Sequence, residues 1–293
     1  MCDAPSLLRA GDALYPAALA RLPRPPALLY ALGVTSLLEQ RLVALVGARA
    51  ALREGVETAE RLAGELAQAG LVVISGGAIG IDAAAHHGCL AAGGGTVVVL
   101  GNGLDRPYPA RNRPLFRRCL EGGGLLLSPF PTGTPPRRNH FPQRNGIIAA
   151  LARVVVVVEA GPAAGSLQTA AWATRLGVPV AVVPRSPGAR ALVARGAAAI
   201  ASAGDVLALL AGRRPAPAIR TLDVADEDQR RLLAVMQGDA RAAPLDHWVA
   251  RVELGAARVA MALLRLELEG WVSLAPGGLY AVVGDANAVS PER

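Results

Sequence analysis

The sequence predicts an α/β protein: a doubly wound, mostly parallel Rossmann-like sheet followed by a small C-terminal winged-helix domain. Three observations support this prediction. Short apolar runs rich in β-branched residues alternate with amphipathic stretches, glycines follow several of these runs, and a segment containing Pro215 and Pro217 precedes a different pattern. With 293 residues and 52% apolar content, the chain has enough material for one large and one small core.

The predicted strands are short apolar runs, most of them bounded by glycine or by a helical pattern. They are residues 42–46, 71–75, 96–100, 124–127, 154–158 and 178–182. Between them, apolar residues recur at helical spacing over 55–69, 81–92, 145–151 and 166–176. Because right-handed crossovers return each helix to one face of the sheet, this order predicts parallel strands. Ligands are then expected beyond the carboxyl ends of the strands, where Gly47, Gly76 and Gly101 lie.

The C-terminal part of the chain has a different pattern. Residues 227–236, 245–251 and 256–269 have helical periodicity, and residues 271–274 and 279–283 flank a turn. Three helices and a hairpin are typical of a winged helix. We therefore expect an N-terminal helical extension over 1–38, the Rossmann-like domain over 39–212, a linker over 213–226, the winged helix over 227–285 and a tail over 286–293.

Positive charge and aromatic rings concentrate in one window of the chain. Between Arg106 and Arg144 there are eight arginines against a single acid, Glu121, and this excess equals the net charge of +7 of the whole chain. All three phenylalanines also fall in the window: Phe116, Phe130 and Phe141. Fixed charge among planar rings suits a surface that holds phosphates and stacks unpaired bases. The alternative is a solvated loop whose rings belong to the core.

The predicted winged helix has the opposite charge balance. Over residues 227–285, six arginines are outnumbered by eight acidic residues, so the positive excess lies in the rest of the chain. A winged helix often reads duplex DNA with its third helix, but this charge favours a contact with protein. We therefore interpret the small domain first as a protein-contact or regulatory module and second as a DNA reader.

Composition excludes several kinds of chemistry. All thirty basic residues are arginine, which excludes a P-loop ATPase and a Schiff-base enzyme because both need a lysine. Cysteines 2, 89 and 119 form no C-x-x-C pair, so neither a disulfide framework nor a zinc site is predicted. The chain shows no basic leader near its start and no apolar run of membrane-spanning length, so we expect a cytoplasmic protein without membrane contact.

The segment Ser75-Gly76-Gly77 ends a predicted strand and precedes a predicted helix. Backbone N–H groups there can approach an anion closely, and the helix start adds the favourable end of its dipole. The loop therefore predicts a phosphate site, although glycines also serve tight turns. The spacing G-x-G-x-x-G is not met, so a dinucleotide is disfavoured and no cofactor is expected.

Asp82 and His86 lie four residues apart on one predicted helix face. No nucleophile and no third metal ligand occurs at a suitable spacing. We therefore expect a structural hydrogen bond between the two side chains, and neither a catalytic residue nor a metal site is predicted.

Several motifs follow one another along the predicted sheet domain. They are Val73-Ile74-Ser75-Gly76-Gly77-Ala78-Ile79-Gly80-Ile81-Asp82, Gly101-Asn102-Gly103-Leu104-Asp105 before Tyr108-Pro109, Phe141-Pro142-Gln143-Arg144-Asn145-Gly146-Ile147-Ile148, and Gly165-Ser166-Leu167 with Thr169-Ala170. In this order they resemble the DNA-processing protein A family, also called DprA or Smf. The predicted winged helix is similar to the small C-terminal domain that many members carry.

This resemblance implies a single-stranded DNA-binding protein that protects incoming DNA and loads the RecA recombinase in natural transformation and recombination. It also implies a homodimer formed through the sheet domain, and no covalent chemistry. The residues expected to contact the DNA are Gly47, Arg49, Ser75, Gly76, Gly77, Gly80, Asn102, Gly103, Arg138, Phe141, Arg144, Asn145, Ser166 and Thr169. Among them, Arg49 and Arg144 are expected to hold phosphates and Phe141 to stack a base. The alternatives are a surface arginine at 49, a helix cap at Asn145 and a core anchor at Phe141.

The chain also departs from the family pattern. Ile79 and Gly146 replace arginines that members commonly have, and the elements at 128–129 and 184–185 differ as well. Two phosphate contacts of the family are therefore missing. Weaker DNA binding, compensation by Arg137 and Arg138, and a different ligand are the three possible consequences.

The leading alternative function is enzymatic. Nucleoside-monophosphate phosphoribohydrolases, such as those that activate cytokinins, have a related Rossmann-like fold and a P-G-G-x-G-T-x-x-E element whose glutamate assists glycosidic cleavage. The corresponding region of this chain, residues 164–173, contains no acid. The sequence therefore favours a binding protein, and release of adenine from AMP would distinguish the two classes.

Overall fold

The computed structural model of the chain describes residues 5–162, 164–213, 215, 227–239, 241–268 and 271–282. The chain divides into two units, Met1–Pro215 and Ala216–Arg293. Most of the linker expected over 213–226, and all of the tail expected over 286–293, lie outside the described residues.

The first unit contains a nine-stranded sheet. Its strands are β1 (Ser6–Arg9), β2 (Leu28–Gly33), β3 (Leu42–Gly47), β4 (Val72–Ser75), β5 (Thr96–Val99), β6 (Leu125–Ser128), β7 (Val154–Glu159), β8 (Val180–Val182) and β9 (Ala198–Ala199). They are ordered β1-β2-β6-β5-β4-β3-β7-β8-β9, with parallel pairing from β6 through to β9 and antiparallel pairing of β1 with β2 and of β2 with β6. The predicted doubly wound, mostly parallel sheet is confirmed.

Helices cover both faces of this sheet. They are α1 (Arg53–Gln68), α2 (Ile81–Ala91), α3 (Arg113–Glu121), α4 (His140–Leu151), α5 (Gly165–Arg175), α6 (Pro187–Val193) and α7 (Ala203–Leu210). Successive side chains of a strand point to opposite faces, so Ala44 and Val46 of β3 pack with α4 and α5 while Val43 and Leu45 pack with α1 and α2. The loops after β3, β4 and β5 are thereby brought to one edge of the sheet.

The N-terminal segment is not the helical extension that the sequence predicted. The described part of this segment, with its continuation to residue 39, contributes β1 and β2, which extend the sheet beyond β6, and two short 3-10 turns, Ala17–Arg21 and Thr35–Glu39. Leu19 and Leu29 are fully buried, so this segment belongs to the core of the first unit. The expectation failed because β2 pairs with a strand far along the chain, and local periodicity does not reveal such a partner.

The second unit has the winged-helix architecture that the sequence predicted. Its elements are α8 (Glu227–Asp239), β10 (Ala243–Pro244), α9 (Leu245–Arg251), α10 (Ala256–Leu268), β11 (Val272–Ala275) and β12 (Leu279–Val282), with the three strands ordered β10-β12-β11. Trp248 is fully buried at the centre of a separate core, and its indole N–H donates a hydrogen bond of 3.0 Å to the Ala243 carbonyl.

Candidate functional site

A pocket of about 70 Å³ lies at the carboxyl ends of β3, β4 and β5. We call it the strand-end pocket, and its lining residues are Arg49, Gly76, Ala78, Ile79, Gly101, Tyr108, Pro109, Phe141 and Arg144. Most of them come from the loops after the three strands, and the last two come from the start of α4. The sheet therefore brings together four of the predicted contact residues: Arg49, Gly76, Phe141 and Arg144.

Phe141 is the aromatic centre of the strand-end pocket. The Cζ atoms of Arg49 and Arg144 lie 5.6 Å and 5.9 Å from the centroid of its ring. The Tyr108 ring lies 6.0 Å away, centroid to centroid, at an interplanar angle of 45°. Arg49 is exposed and Tyr108 is 45% exposed, so a cation that faces solvent and two rings converge on one small surface. Phe141 itself is only half-buried, unlike a core anchor.

Arg144 is buried, with 5% of its surface exposed. Its Nη1 donates a hydrogen bond of 2.7 Å to the Val99 carbonyl at the end of β5, and its buried Nε has no partner among the described residues. Burial lowers the pKa of Arg144 to about 10, while the Asp82 carboxylate opposes this change and the charge of Arg49 adds to it. The guanidinium is thus anchored in the pocket wall. The sequence had instead suggested a guanidinium free to reach a phosphate.

The glycines of the β4–α2 loop allow close packing around the pocket. Gly77 and Gly80 have φ angles of +64° and +80°, which side chains rarely tolerate. A Cβ atom at Gly80 would collide with the Ala48 carbonyl, and one at Gly76 would overlap the Arg144 guanidinium. The glycines are therefore required by the loop itself, whatever it binds.

Asp82 stabilises this loop from within. Its Oδ2 accepts hydrogen bonds from the N–H groups of Gly76 at 3.2 Å and Ala78 at 3.4 Å. Burial raises the pKa of the Asp82 carboxyl, and the charge of Arg144 and the backbone donors act against this rise. Two of the loop amides that the sequence offered to a phosphate therefore already have an intramolecular acceptor.

The predicted hydrogen bond between Asp82 and His86 is not formed. His86 Nδ1 lies 2.8 Å from the Thr96 hydroxyl, which donates its own proton to the Val73 carbonyl at 2.9 Å. Nδ1 is therefore the donor, and the buried Nε2 has no partner among the described residues. Burial lowers the pKa of His86 to about 3, so the imidazole is neutral at physiological pH.

Asn112 is a supporting residue that sequence analysis missed. Its Nδ2 donates hydrogen bonds to the carbonyls of Gly77 at 3.0 Å and Ala78 at 3.1 Å. An asparagine just before a proline-containing helix start marks a cap, but no local signal connects it to a loop 35 residues earlier in the chain.

Several predicted contact residues are buried and do not line the strand-end pocket. The Ser75 hydroxyl donates a hydrogen bond of 2.6 Å to a carbonyl of β3. Asn102 is fully buried and donates to the carbonyls of Gly103 at 3.0 Å and Arg106 at 2.6 Å. Thr169 is 2% exposed. The Ser75 and Asn102 side chains therefore hold neighbouring segments in place, and a contact of these three residues with DNA stays a prediction.

Three further predicted contact residues, Asn145, Ser166 and Gly47, also lie outside the lining of the strand-end pocket. Asn145 lies inside α4, so it does not cap that helix, and its Nδ2 donates to the Gly165 carbonyl at 3.4 Å. Ser166 is 7% exposed, and its hydroxyl has no partner among the described residues. Gly47, at the end of β3, packs against Ile81 so closely that a side chain would not fit.

The arginine-rich window does not form one surface. Arg118 lies 3.3 Å from His87 in a cavity lined by α1 and α2, whereas Arg144 is buried in the strand-end pocket. Arg138 is exposed before α4 but does not line the pocket. The exposed guanidinium of the pocket is that of Arg49, which lies outside the window.

Within the part of the chain that the structure describes, no group of three histidine, cysteine, aspartate or glutamate side chains is placed to hold a metal ion. Burial raises the pKa of the Cys89 and Cys119 thiols to about 11 and about 12. Among the helices described, none combines the length and the apolar character that crossing a bilayer requires.

The fold and the pocket define a class of protein: a Rossmann-like domain with a pocket at the strand ends, followed by a winged helix. The family model for DNA recombination-mediator protein A matches residues 6–211, and the model for the DprA winged helix domain matches residues 213–278. The chain therefore belongs to the DNA recombination-mediator protein A family, also called DprA or Smf.

Individual relatives agree with this assignment. Protein Smf of Synechocystis sp. is 34% identical over 94% of this chain and 80% of its own. The X-ray structure of DNA processing protein A from Streptococcus pneumoniae is 38% identical with a TM-score of 0.66, covering 70% of this chain and 74% of that one. The structure of DNA processing protein A from Helicobacter pylori is 30% identical with a TM-score of 0.65, covering 71% and 96%. The family resemblance found in the sequence is confirmed.

Proposed function

We propose that this protein binds single-stranded DNA across the strand-end pocket. The observation that carries the proposal is the convergence of the exposed Arg49 guanidinium with the rings of Phe141 and Tyr108. A ring can stack on any unpaired base, and a guanidinium can hold a phosphate regardless of sequence. The Helicobacter pylori relative is described for its unique single-stranded DNA binding mode, which supports the same ligand class here.

Each pocket residue has a distinct role in this proposal. A base stacks on Phe141, and the neighbouring phosphate pairs with Arg49. Arg144 keeps the ring in position through its contact with Phe141 and its hydrogen bond to β5. Arg138, which is exposed before α4, contacts a phosphate further along the strand.

The size of the pocket favours a binding protein over a phosphoribohydrolase. Pockets that enclose small molecules have volumes of roughly 300–1,000 Å³. The strand-end pocket measures about 70 Å³, which accommodates part of one base from a strand lying over the surface but not a whole nucleotide. We therefore propose that no covalent chemistry occurs there.

Family membership extends the proposal to a cellular role. We propose that the protein acts in the cytoplasm as a homodimer, protects incoming single strands and loads RecA during natural transformation and recombination. The winged helix would contact protein, because α10 exposes Met261 (52%) and Leu264 (49%) while Arg258 is paired with Asp228 at 2.6 Å. Exposed apolar side chains suit a protein surface better than a phosphate backbone.

Fluorescence anisotropy with oligo-dT and a duplex of equal length, at two salt concentrations, tests the proposed ligand. We expect tighter binding of oligo-dT. Arg49→Ala should weaken that binding and reduce the slope of log K against log salt by about 0.7, the value for one phosphate contact on a single strand. Arg153→Ala is the matched control, because Arg153 is exposed just before β7, at the opposite edge of the sheet.

Two results would overturn the proposal. Preference for the duplex would contradict single-stranded DNA as the ligand. An unchanged affinity and salt slope in Arg49→Ala would contradict the strand-end pocket as the binding site. Incubation with AMP tests the enzyme alternative in parallel. We expect no release of adenine. Release that depends on Arg49 would favour the phosphoribohydrolase function over the binding function.

A further inference from the structure

A second cavity, of about 540 Å³, borders α4 on the side away from the strand-end pocket. Gln143 and Gly146 line it, and at 100° per residue they lie on the helix face opposite Phe141 and Arg144. Trp172 of α5, together with Phe130, Leu22, Arg24 and three prolines, forms much of the remaining wall, and we call this space the Trp172 cavity.

The two aromatic rings of the Trp172 cavity are held in place. The Trp172 indole N–H donates a hydrogen bond of 3.2 Å to the Pro142 carbonyl, and the Arg175 Cζ atom lies 5.7 Å from the ring centroid. Phe130 stacks on His140 with centroids 4.0 Å apart and an interplanar angle of 19°. Rings fixed in this way offer a preformed apolar surface, which lowers the entropic cost of binding a flat ligand.

Gly146 keeps the cavity open. A Cβ atom there would point at the Trp172 ring, 3.3 Å from Cε2, and at Leu22, 3.4 Å from Cδ2. Any longer side chain at this position would therefore extend into the cavity. Gly146 replaces an arginine that family members commonly have. An arginine here would begin on the opposite face of α4, so its absence does not remove a side chain from the strand-end pocket.

The polar groups of the Trp172 cavity complement a nucleotide. Arg24 and Gln143 are both exposed, and the lining contains no acidic residue. A guanidinium can hold a phosphate, a carboxamide can pair with a base edge, and the aromatic rings can stack on the base. An apolar peptide would use the rings but would make no use of the guanidinium and the carboxamide.

We propose that the Trp172 cavity is a second base-binding site for the same DNA strand. This inference rests on the proposed function of the strand-end pocket. The two sites meet at the start of α4, where Phe141 lines one and Gln143 the other. An α-helix is about 10–12 Å across, and three nucleotides of a strand with B-form stacking, at roughly 3.4 Å each, cover this distance.

A ladder of oligo-dT from about 4 to about 16 nucleotides tests the second site by anisotropy. In the wild type, affinity should rise in two steps, the second about three nucleotides after the first. Gly146→Gln projects a neutral side chain against Trp172 and into the cavity, and Arg24→Ala removes an exposed guanidinium. Both should lower the affinity for long oligonucleotides by about fivefold or more while leaving the shortest binder unaffected. Arg153→Ala serves as the unaffected control, and thermal unfolding verifies that Gly146→Gln is folded.

Crosslinking provides an independent readout. Oligo-dT containing 5-iodouracil should crosslink to the peptide that contains Trp172 only when the strand exceeds the length of the second step. A single affinity step in the wild type, or unchanged long-strand affinity in both variants, overturns the second site while the shortest oligonucleotides still report on the strand-end pocket. Failure of every oligonucleotide to bind would instead overturn the proposed function.

Discussion

At the residue scale, the strand-end pocket depends on the mutual fit of Gly76 and Arg144. Arg144 occupies the space that a side chain at residue 76 would need, and its guanidinium is tied to the Val99 carbonyl at 2.7 Å. The same guanidinium lies against Phe141, the ring to which we assign base stacking. In the sequence, Gly76 resembles part of a phosphate-binding loop. In the structure, its lack of a side chain leaves room for the buried Arg144 guanidinium.

Gly76→Ala should disturb both stability and binding. The new methyl group would displace the Arg144 guanidinium from its acceptor and leave a buried charge poorly paired, so we expect a loss of about 1–3 kcal/mol of unfolding free energy. Urea denaturation measures this loss, and anisotropy should show weaker oligo-dT binding. Gly161→Ala is the control, because a Cβ atom there meets nothing within 4 Å. Equal stability of the two variants would contradict the mutual fit.

At the scale of elements, α2 is joined to the sheet by a buried chain of hydrogen bonds. His86 donates to Thr96 on β5, and Thr96 donates to Val73 on β4. The helix therefore holds its neutral imidazole where a proton on Nε2 would find no acceptor among the residues that the structure describes. This arrangement couples the stability of the first unit to pH.

The pH dependence has a definite sign. Folding lowers the pKa of His86 from 6.5 to about 3, so the unfolded chain takes up the proton first as the pH falls. The contribution of neutral His86 is complete above pH 6.5 and is lost progressively towards pH 3, by about 2 kcal/mol at pH 5. Urea unfolding at pH 7.5 and pH 5 should therefore show a smaller difference in His86→Gln than in the wild type. The same difference in both proteins would contradict this role.

At the scale of the whole molecule, the two units have separate cores and opposite charge balance. The core of the second unit is built around Trp248, Leu233 and Leu263, and the strand-end pocket is lined entirely by the first unit. Residues 227–285 carry more acidic than basic side chains. DNA affinity is therefore expected to reside in the first unit.

A protein truncated after Pro215 tests this division. It should unfold in one cooperative transition and bind oligo-dT with undiminished affinity, because its core is complete and the removed part has a net negative charge. Circular dichroism and anisotropy provide the two measurements. Loss of oligo-dT binding by a folded truncated protein would show that the winged helix contributes directly to DNA binding.

Much of the fold could be predicted from the sequence because its signals are local. Short apolar runs rich in β-branched residues located the six central strands, helical periodicity located four of the helices between and beside them, and a change of pattern located the winged helix. Helix α3 escaped prediction because its nine residues lie in the arginine-rich window, which was interpreted as a phosphate-holding surface or a solvated loop, although Leu115, Phe116 and Cys119 form a buried helical face. Strands β1 and β2 escaped because β2 pairs with a strand that is remote in the chain. The glycines after β3, β4 and β5 correctly indicated the edge of the sheet where the pocket lies.

The sequence by itself thus determined the six central strands, their parallel order and the edge of the sheet where the pocket lies, since each follows from which segments must be buried. Only the tertiary structure decided which side chains meet there. It buried Arg144, turned Ser75 and Asn102 inwards, moved Arg118 to another face and placed Arg49 beside Phe141. Such contacts join segments far apart in the chain, and they depend on how crossovers pack on the sheet, which no local periodicity encodes.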